Sequence, residues 1–283
     1  MGRERGWDVT GVRRVESILS SPWSASAKES AASAKESAAS GPLLTGPAVR
    51  TSLGDVVADR LREAILNAEL SPGQHLREEQ LSESLDVSRG PVRDAFLILE
   101  REGLVTLSRH RGATVVQLSV EDFGEVYSLR SAIEELAVRL AIRRRDDDDL
   151  QALEHSLAEL RAGMKRKITE QVAARLDVNF HDNIFRAAHH ERLYRSWSSI
   201  RMQVHWFLLL RTVASQDWRE GMITSHTRIL ELIKAGDEAE AVSAIGQHIR
   251  DAYNRICGSL IDQQADRASV PDARQRAESY LLS

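Results

Sequence analysis

Apolar residues recur at helical spacing from residue 53 onward, and the pattern then breaks into shorter pieces. Val56, Val57, Leu61, Ile65 and Leu66 line one face of an amphipathic helix predicted over 53–68. Ser71-Pro72-Gly73 makes a turn. Leu81 and Leu85 mark a second helix over 78–85, and Asp86-Val87 turns the chain again. Ser88 is a suitable N-cap for a third helix. Pro91 falls in that helix's first turn, where its missing N–H is not needed. Phe96, Leu97, Leu99 and Leu104 supply the apolar face, and Gly103 is placed to end the helix. Two short β segments follow, Val105–Leu107 and Thr114–Gln117, with residues 108–112 as the tip between them. Two helices across a tight turn, followed by a hairpin, predict a winged helix-turn-helix.

From Ser119 the strand signal disappears. Ser119 and Asp122 have capping-box spacing and open a helix to about Arg145. The Asp146–Asp149 run caps the next, over about 148–166. Further helices are predicted over 169–188, 191–213, 217–235 and 237–262, with Gly236-Asp237 as a sharp boundary between the last two. The expected fold is mainly α: a winged helix-turn-helix followed by an all-α antiparallel helical bundle. The expected domains are a DNA-binding unit over 51–118 and a bundle over 119–265. A low-complexity tail over 1–50, with Ala-Lys-Glu-Ser-Ala-Ala-Ser twice in tandem, and a loose tail over 266–283 flank them.

Composition narrows the setting. A hydrophobic fraction of 42% and a charged fraction of 28% suit a water-soluble globular protein. The single cysteine, Cys257, rules out an internal disulfide and suits a reducing compartment. Apolar runs such as Trp206 to Leu210 are far too short to cross a membrane, and a cytoplasmic location is expected. The net charge of -4 gives no hint of nucleic acid. Locally the balance reverses. Between Ser88 and Gly112, five arginines (Arg89, Arg93, Arg101, Arg109, Arg111) face three acids (Asp94, Glu100, Glu102). A binding face needs only local positive charge to meet phosphates.

The run Leu81-Ser82-Glu83-Ser84-Leu85-Asp86-Val87-Ser88-Arg89-Gly90-Pro91-Val92-Arg93-Asp94-Ala95, with Leu99-Glu100-Arg101-Glu102-Gly103-Leu104-Val105 and Arg111-Gly112-Ala113 after it, resembles the GntR superfamily of bacterial regulators. The branch it resembles is the FadR-like one. In the second half, Leu129-Arg130, Ile133-Glu134, Asp177, Phe180-His181, His226, Gly236-Asp237 and His248 look like the ligand-binding domain of those regulators. The resemblance spans Ser52 to Gln263. It implies a homodimer, a palindromic operator in double-stranded DNA and a small organic acid effector. It also implies that Ser88, Arg89 and Arg93 contact DNA from the recognition helix, and Arg111 and Gly112 from the wing. Some members carry an arginine on the second helix where this chain has Glu79.

The residues carry chemistry of their own. Arg89 and Arg93 are four apart and share a helix face, and arginine suits bidentate reading of guanine in the major groove. Asp177 and His181 are likewise four apart, while His226 and His248 lie near the middles of two later helices. One carboxylate and three imidazoles brought to one interior spot suit a first-row divalent ion, zinc ahead of nickel or manganese. Arg130 matches a family position near that pocket; it is placed either to pair with an effector carboxylate or to pair with Glu134 one turn on. The competing function is a metal-dependent hydrolase in which the same four residues activate water. Against it, no glutamate neighbours a ligand histidine in sequence, and the N-terminal unit would be left without a role.

Overall fold

The computed structural model describes residues 52–108, 112–166, 168–210 and 218–265. The expected tails at 1–50 and 266–283, and Arg109, His110 and Arg111 at the wing tip, lie outside the described residues.

Helix α1 (Leu53–Leu66) is opened by Ser52, whose hydroxyl accepts from the Asp55 N–H while the Asp55 carboxylate accepts from the Ser52 N–H. Helices α2 (Glu78–Ser84) and α3 (Arg89–Arg101) form the helix-turn-helix. Strand β1 (His75–Leu76) precedes α2, and β2 (Val105–Ser108) and β3 (Gly112–Val115) follow α3. The strands form one antiparallel sheet in the order β1-β3-β2. The apolar pattern predicted only the hairpin. A two-residue strand is too short to show a period, and β1 exists because the wing supplies it with a partner. Gly112 is what lets the two meet. It has φ +94, and a Cβ there would lie 2.1 Å from the Leu76 carbonyl oxygen.

The second half is helical throughout its described residues: α4 (Val120–Arg144), α5 (Asp147–Lys165), α6 (Glu170–Ala187), α7 (Glu191–Leu210), α8 (Trp218–Ala235) and α9 (Glu238–Ala265). Capping boxes at Ser119/Asp122 and Asp146/Asp149 fix the starts of α4 and α5, as their spacing predicts. Gly236 at φ +77 ends α8, and Asp237 accepts from the Glu240 N–H.

Each half has its own apolar core. Val57, Leu61, Ile65, Val92, Phe96, Leu99 and Leu104 fill the first. The second is built around stacked Phe123 and Tyr253, with Phe207, Phe180, Trp197 and Ile229. No described helix is long and apolar enough to cross a membrane.

Candidate metal centre and DNA-binding face

Asp177 and His181 stand one turn apart on α6, and both are buried. α8 brings His226 and α9 brings His248, also buried. One ligand atom from each of the four lies within 4.8 Å of all the others. The imidazole rings sit close together, with His226 and His248 centroids 4.7 Å apart and His181 and His226 5.3 Å apart.

The partners of the three rings decide which nitrogen faces inward. His181 Nδ1 lies 2.6 Å from Glu134 Oε2. His226 Nδ1 lies 2.7 Å from the Met222 carbonyl oxygen. His248 Nδ1 lies 3.0 Å from Ser225 Oγ, whose own hydrogen goes to that same carbonyl. A carboxylate and a carbonyl can only accept, and the Ser225 hydroxyl has already spent its donor. All three Nδ1 atoms therefore carry the proton, and all three Nε2 atoms keep a lone pair. That tautomer is the one a histidine uses when it binds a metal through Nε2. His226 Nε2 lies 3.3 Å from Asp177 Oδ1, so that with Nδ1 protonated two acceptors face each other across the cluster.

Burial favours the neutral form of His181 and His248. Burial pushes His248 well below the ordinary histidine range, and His226 and His181 beside it push the same way. Burial also lowers His181, against the opposing pull of Glu134. Burial alone would raise Glu134, but His181 and Arg130 more than offset it and hold the carboxylate ionised. A neutral imidazole is the form that coordinates a cation. The donor set of three Nε2 atoms and one carboxylate suits a first-row divalent ion.

Arg130 closes one side of the cluster. It is fully buried, its Nε donates to Glu134 Oε1 at 2.6 Å, and its Nη2 donates to His181 Nε2 at 3.0 Å. Its guanidinium carbon lies 5.5 Å from the Tyr127 ring centre and 6.0 Å from that of Trp197. Nη1 has no hydrogen-bond partner. Of the two sequence readings of Arg130, the ion pair with Glu134 forms. Glu134 is the residue that sequence reasoning undervalued. It is 47 positions from His181 in the chain, so no local spacing relates them.

The recognition helix presents its arginines to solvent. Arg89 Nη2 lies 2.5 Å from Glu79 Oε1, and Arg93 Nε lies 2.7 Å from Glu78 Oε2, so α2 neutralises both from across the turn. Ser88 sits at the N-cap position of α3 with its hydroxyl making no cap bond, which leaves it facing outward from the helix start. Gly112 is buried in the wing and contributes backbone, for the steric reason given above.

Comparison with known proteins gives a consistent picture. Residues 53–115 match the family described as bacterial regulatory proteins, gntR family, and residues 125–251 match the FCD domain. Together these matches span more than half of the chain. The chain is 28% identical over 202 residues to the HTH-type transcriptional regulator YdhC of Bacillus subtilis (strain 168), covering 71% of this chain and 88% of that one. It is 27% identical to the gluconate operon transcriptional repressor of Bacillus licheniformis, covering 76% and 89%. Among solved structures it resembles Escherichia coli McbR/YncC in fold, with a TM-score of 0.60 at 23% identity, covering 72% of this chain and 98% of that one.

Proposed function

This chain belongs to the gntR family of bacterial regulatory proteins, and from that premise we propose that it is a metabolite-responsive repressor, released from its operator by a small carboxylate effector at a metal site in the bundle. The observation that carries the metal reading is the common orientation of three imidazoles. Glu134, Met222 and Ser225 each accept a hydrogen bond from an Nδ1–H, which leaves three Nε2 lone pairs close to one another and to the Asp177 carboxylate. Packing alone would not require all three rings to share a tautomer.

When bound, a divalent ion held by Asp177, His181, His226 and His248 would supply positive charge and open coordination positions for a carboxylate oxygen. The chain's own residues do the rest. Glu134 fixes the His181 ring and raises its basicity. Arg130 Nη2 donates to the His181 Nε2 lone pair, the same lone pair through which His181 would hold the ion. Nη1, which makes no hydrogen bond here, would be the Arg130 donor offered to the effector carboxylate. The aromatic walls of Phe180 and Trp197 keep water from competing.

The DNA head works by exchange. Arg89 and Arg93 leave exposed ion pairs with Glu79 and Glu78, which contribute little, for guanine edges or phosphates, which contribute more. Ser88 reaches a phosphate from the helix start, and Arg111 and Gly112 serve the wing. One winged helix reads only a few base pairs, so a homodimer on a palindromic operator completes the reading. The hydrolase alternative is weaker here than in the bare sequence. Glu134, the glutamate that touches His181, has both oxygens engaged, one by Arg130 and one by His181, and so is poorly placed to serve as a general base.

The test is elemental analysis of protein purified without chelator, followed by operator binding with a panel of small carboxylates. About one divalent ion per chain is expected, with one class of carboxylate lowering DNA affinity only when the metal is present. Metal-free protein that still responds to that carboxylate would overturn the reading.

A further inference from the structure

Helix α7 serves two cores at once. Ile200, Val204, Phe207 and Leu208 belong to the bundle core. Met202 is fully buried among the winged-helix residues, and Trp206, one turn further along, packs against the same group. Between them, Gln203 Nε2 donates at 3.1 Å to the carbonyl of Gly103. That carbonyl belongs to the turn that ends α3, where backbone acceptors have no helical partner. Gln203 fits so closely that a Cβ on Gly103 would lie 2.3 Å from its Nε2. The C-terminal end of the recognition helix is therefore fastened to α7 by one hydrogen bond and two apolar side chains.

The same helix walls the histidine cluster. Trp197 stacks on Phe185 with centroids 4.9 Å apart, its ring centre lies 6.4 Å from that of His181, and its N–H donates to Asp182. Arg201 pairs with Asp182 at 2.8 Å, which fixes α7 to α6, the helix that carries Asp177 and His181. Arg62, buried on α1, holds Glu102 by two hydrogen bonds of 2.8 and 2.7 Å, and Glu102 immediately precedes Gly103. The α7 contact and the Arg62 pair thus meet at neighbouring residues, Gly103 and Glu102.

We propose that α7 positions the winged helix through Met202, Gln203 and Trp206, and that it carries occupancy of the histidine cluster to the end of the recognition helix. The proposal rests on the metal reading above. Its physical basis is the difference between the two sides. α7 is locked into the bundle by a large interdigitated core, so a shift of α6 or Trp197 moves it as a body. The DNA head meets α7 through Met202, Gln203 and Trp206, a contact much smaller than the bundle core and open to being remade in a second arrangement.

The experiment is hydrogen–deuterium exchange on the full chain, metal-free and with added Zn2+. In the wild type, Zn2+ is expected to slow exchange in peptides around 177–181, 226 and 248, and to change it several-fold in amides 99–104. Combining Met202→Ala with Gln203→Ala should keep the first response and lose the second. Gln203→Ala alone, which removes only a partly exposed amide, should weaken the second response and guards against loss of the winged-helix fold in the double variant. Amides 99–104 that ignore Zn2+ while the cluster responds would overturn the coupling and leave the metal site standing. So would an undiminished response in both variants. A cluster that does not respond to Zn2+ overturns the metal reading and the coupling together.

Discussion

The chain builds the same Arg–Glu pair in two surroundings, and the contrast explains the division of labour. Arg130 and Glu134 on α4 are both 0% exposed. Arg89 and Glu79 are 55% and 67% exposed. In water, such a pair is worth about 0–1 kcal/mol, because solvent screens the attraction and ordering two long side chains costs entropy. The recognition helix can therefore exchange its partners for DNA at little expense. In the bundle neither charge has water to return to, so the pair holds a fixed geometry and its loss is severe. A reading head needs partners it can abandon, and a sensor needs groups that stay where the fold puts them.

The largest expected effect follows from breaking the buried side. Glu134→Ala strands the Arg130 charge and frees the His181 ring, and should cost about 3–5 kcal/mol in chemical denaturation. A loss under about 1 kcal/mol would mean that the pair is no more demanding than its exposed counterpart. Next comes the metal. Zn2+ at a hundred times its dissociation constant should stabilise the wild type by about 2.7 kcal/mol, since the ion ties α6, α8 and α9 in the folded state only. The paired change His226→Ala and His248→Ala should abolish that gain in thermal melts while leaving DNA affinity nearly intact. Equal stabilisation of the paired variant would remove these histidines from the site.

On the exposed side the effects shift from stability to recognition. Arg89→Ala should weaken operator binding by about 1–3 kcal/mol and relax preference at one base pair per half-site, while moving stability by no more than about 0.5 kcal/mol. Operator binding as tight and selective as the wild type's would show that Arg89 is only a solvated arginine. The smallest effect is expected from Glu79→Gln. It leaves the fold untouched within about 0.5 kcal/mol and raises affinity for non-specific DNA, because Arg89 no longer surrenders a partner. Selection from a random DNA pool measures it, and an affinity that falls would mean that Glu79 itself contacts the bases.

Much of this architecture was legible from spacing alone. The capping boxes at Ser119 and Asp146, the glycine stops at Gly103 and Gly236, and the helix over 169–188 are local signals, readable because each depends on residues within a turn or two. The four ligand candidates were legible only in part. Asp177 and His181 share a face by their spacing of four, but helical periodicity says nothing about where α8 and α9 will aim His226 and His248. Gly112 shows the limit of reading a role from a motif: its first duty is to let β1 approach β3.

What the sequence determined by itself was the set of elements and the character of their faces, because hydrogen bonding within a helix and apolar periodicity are short-range. Tertiary structure decided which nitrogen His181 and His248 present, because the partners that choose it, Glu134 and Ser225, come from other helices; His226 is turned by Met222 of its own helix. It also decided that α7 has two masters. Met202 and Trp206 look in the sequence like ordinary apolar residues of one amphipathic helix, and only packing shows that they fill the core of the other half. Contacts between residues a hundred positions apart, such as Gln203 with Gly103, carry no local trace because they depend on how two finished surfaces meet.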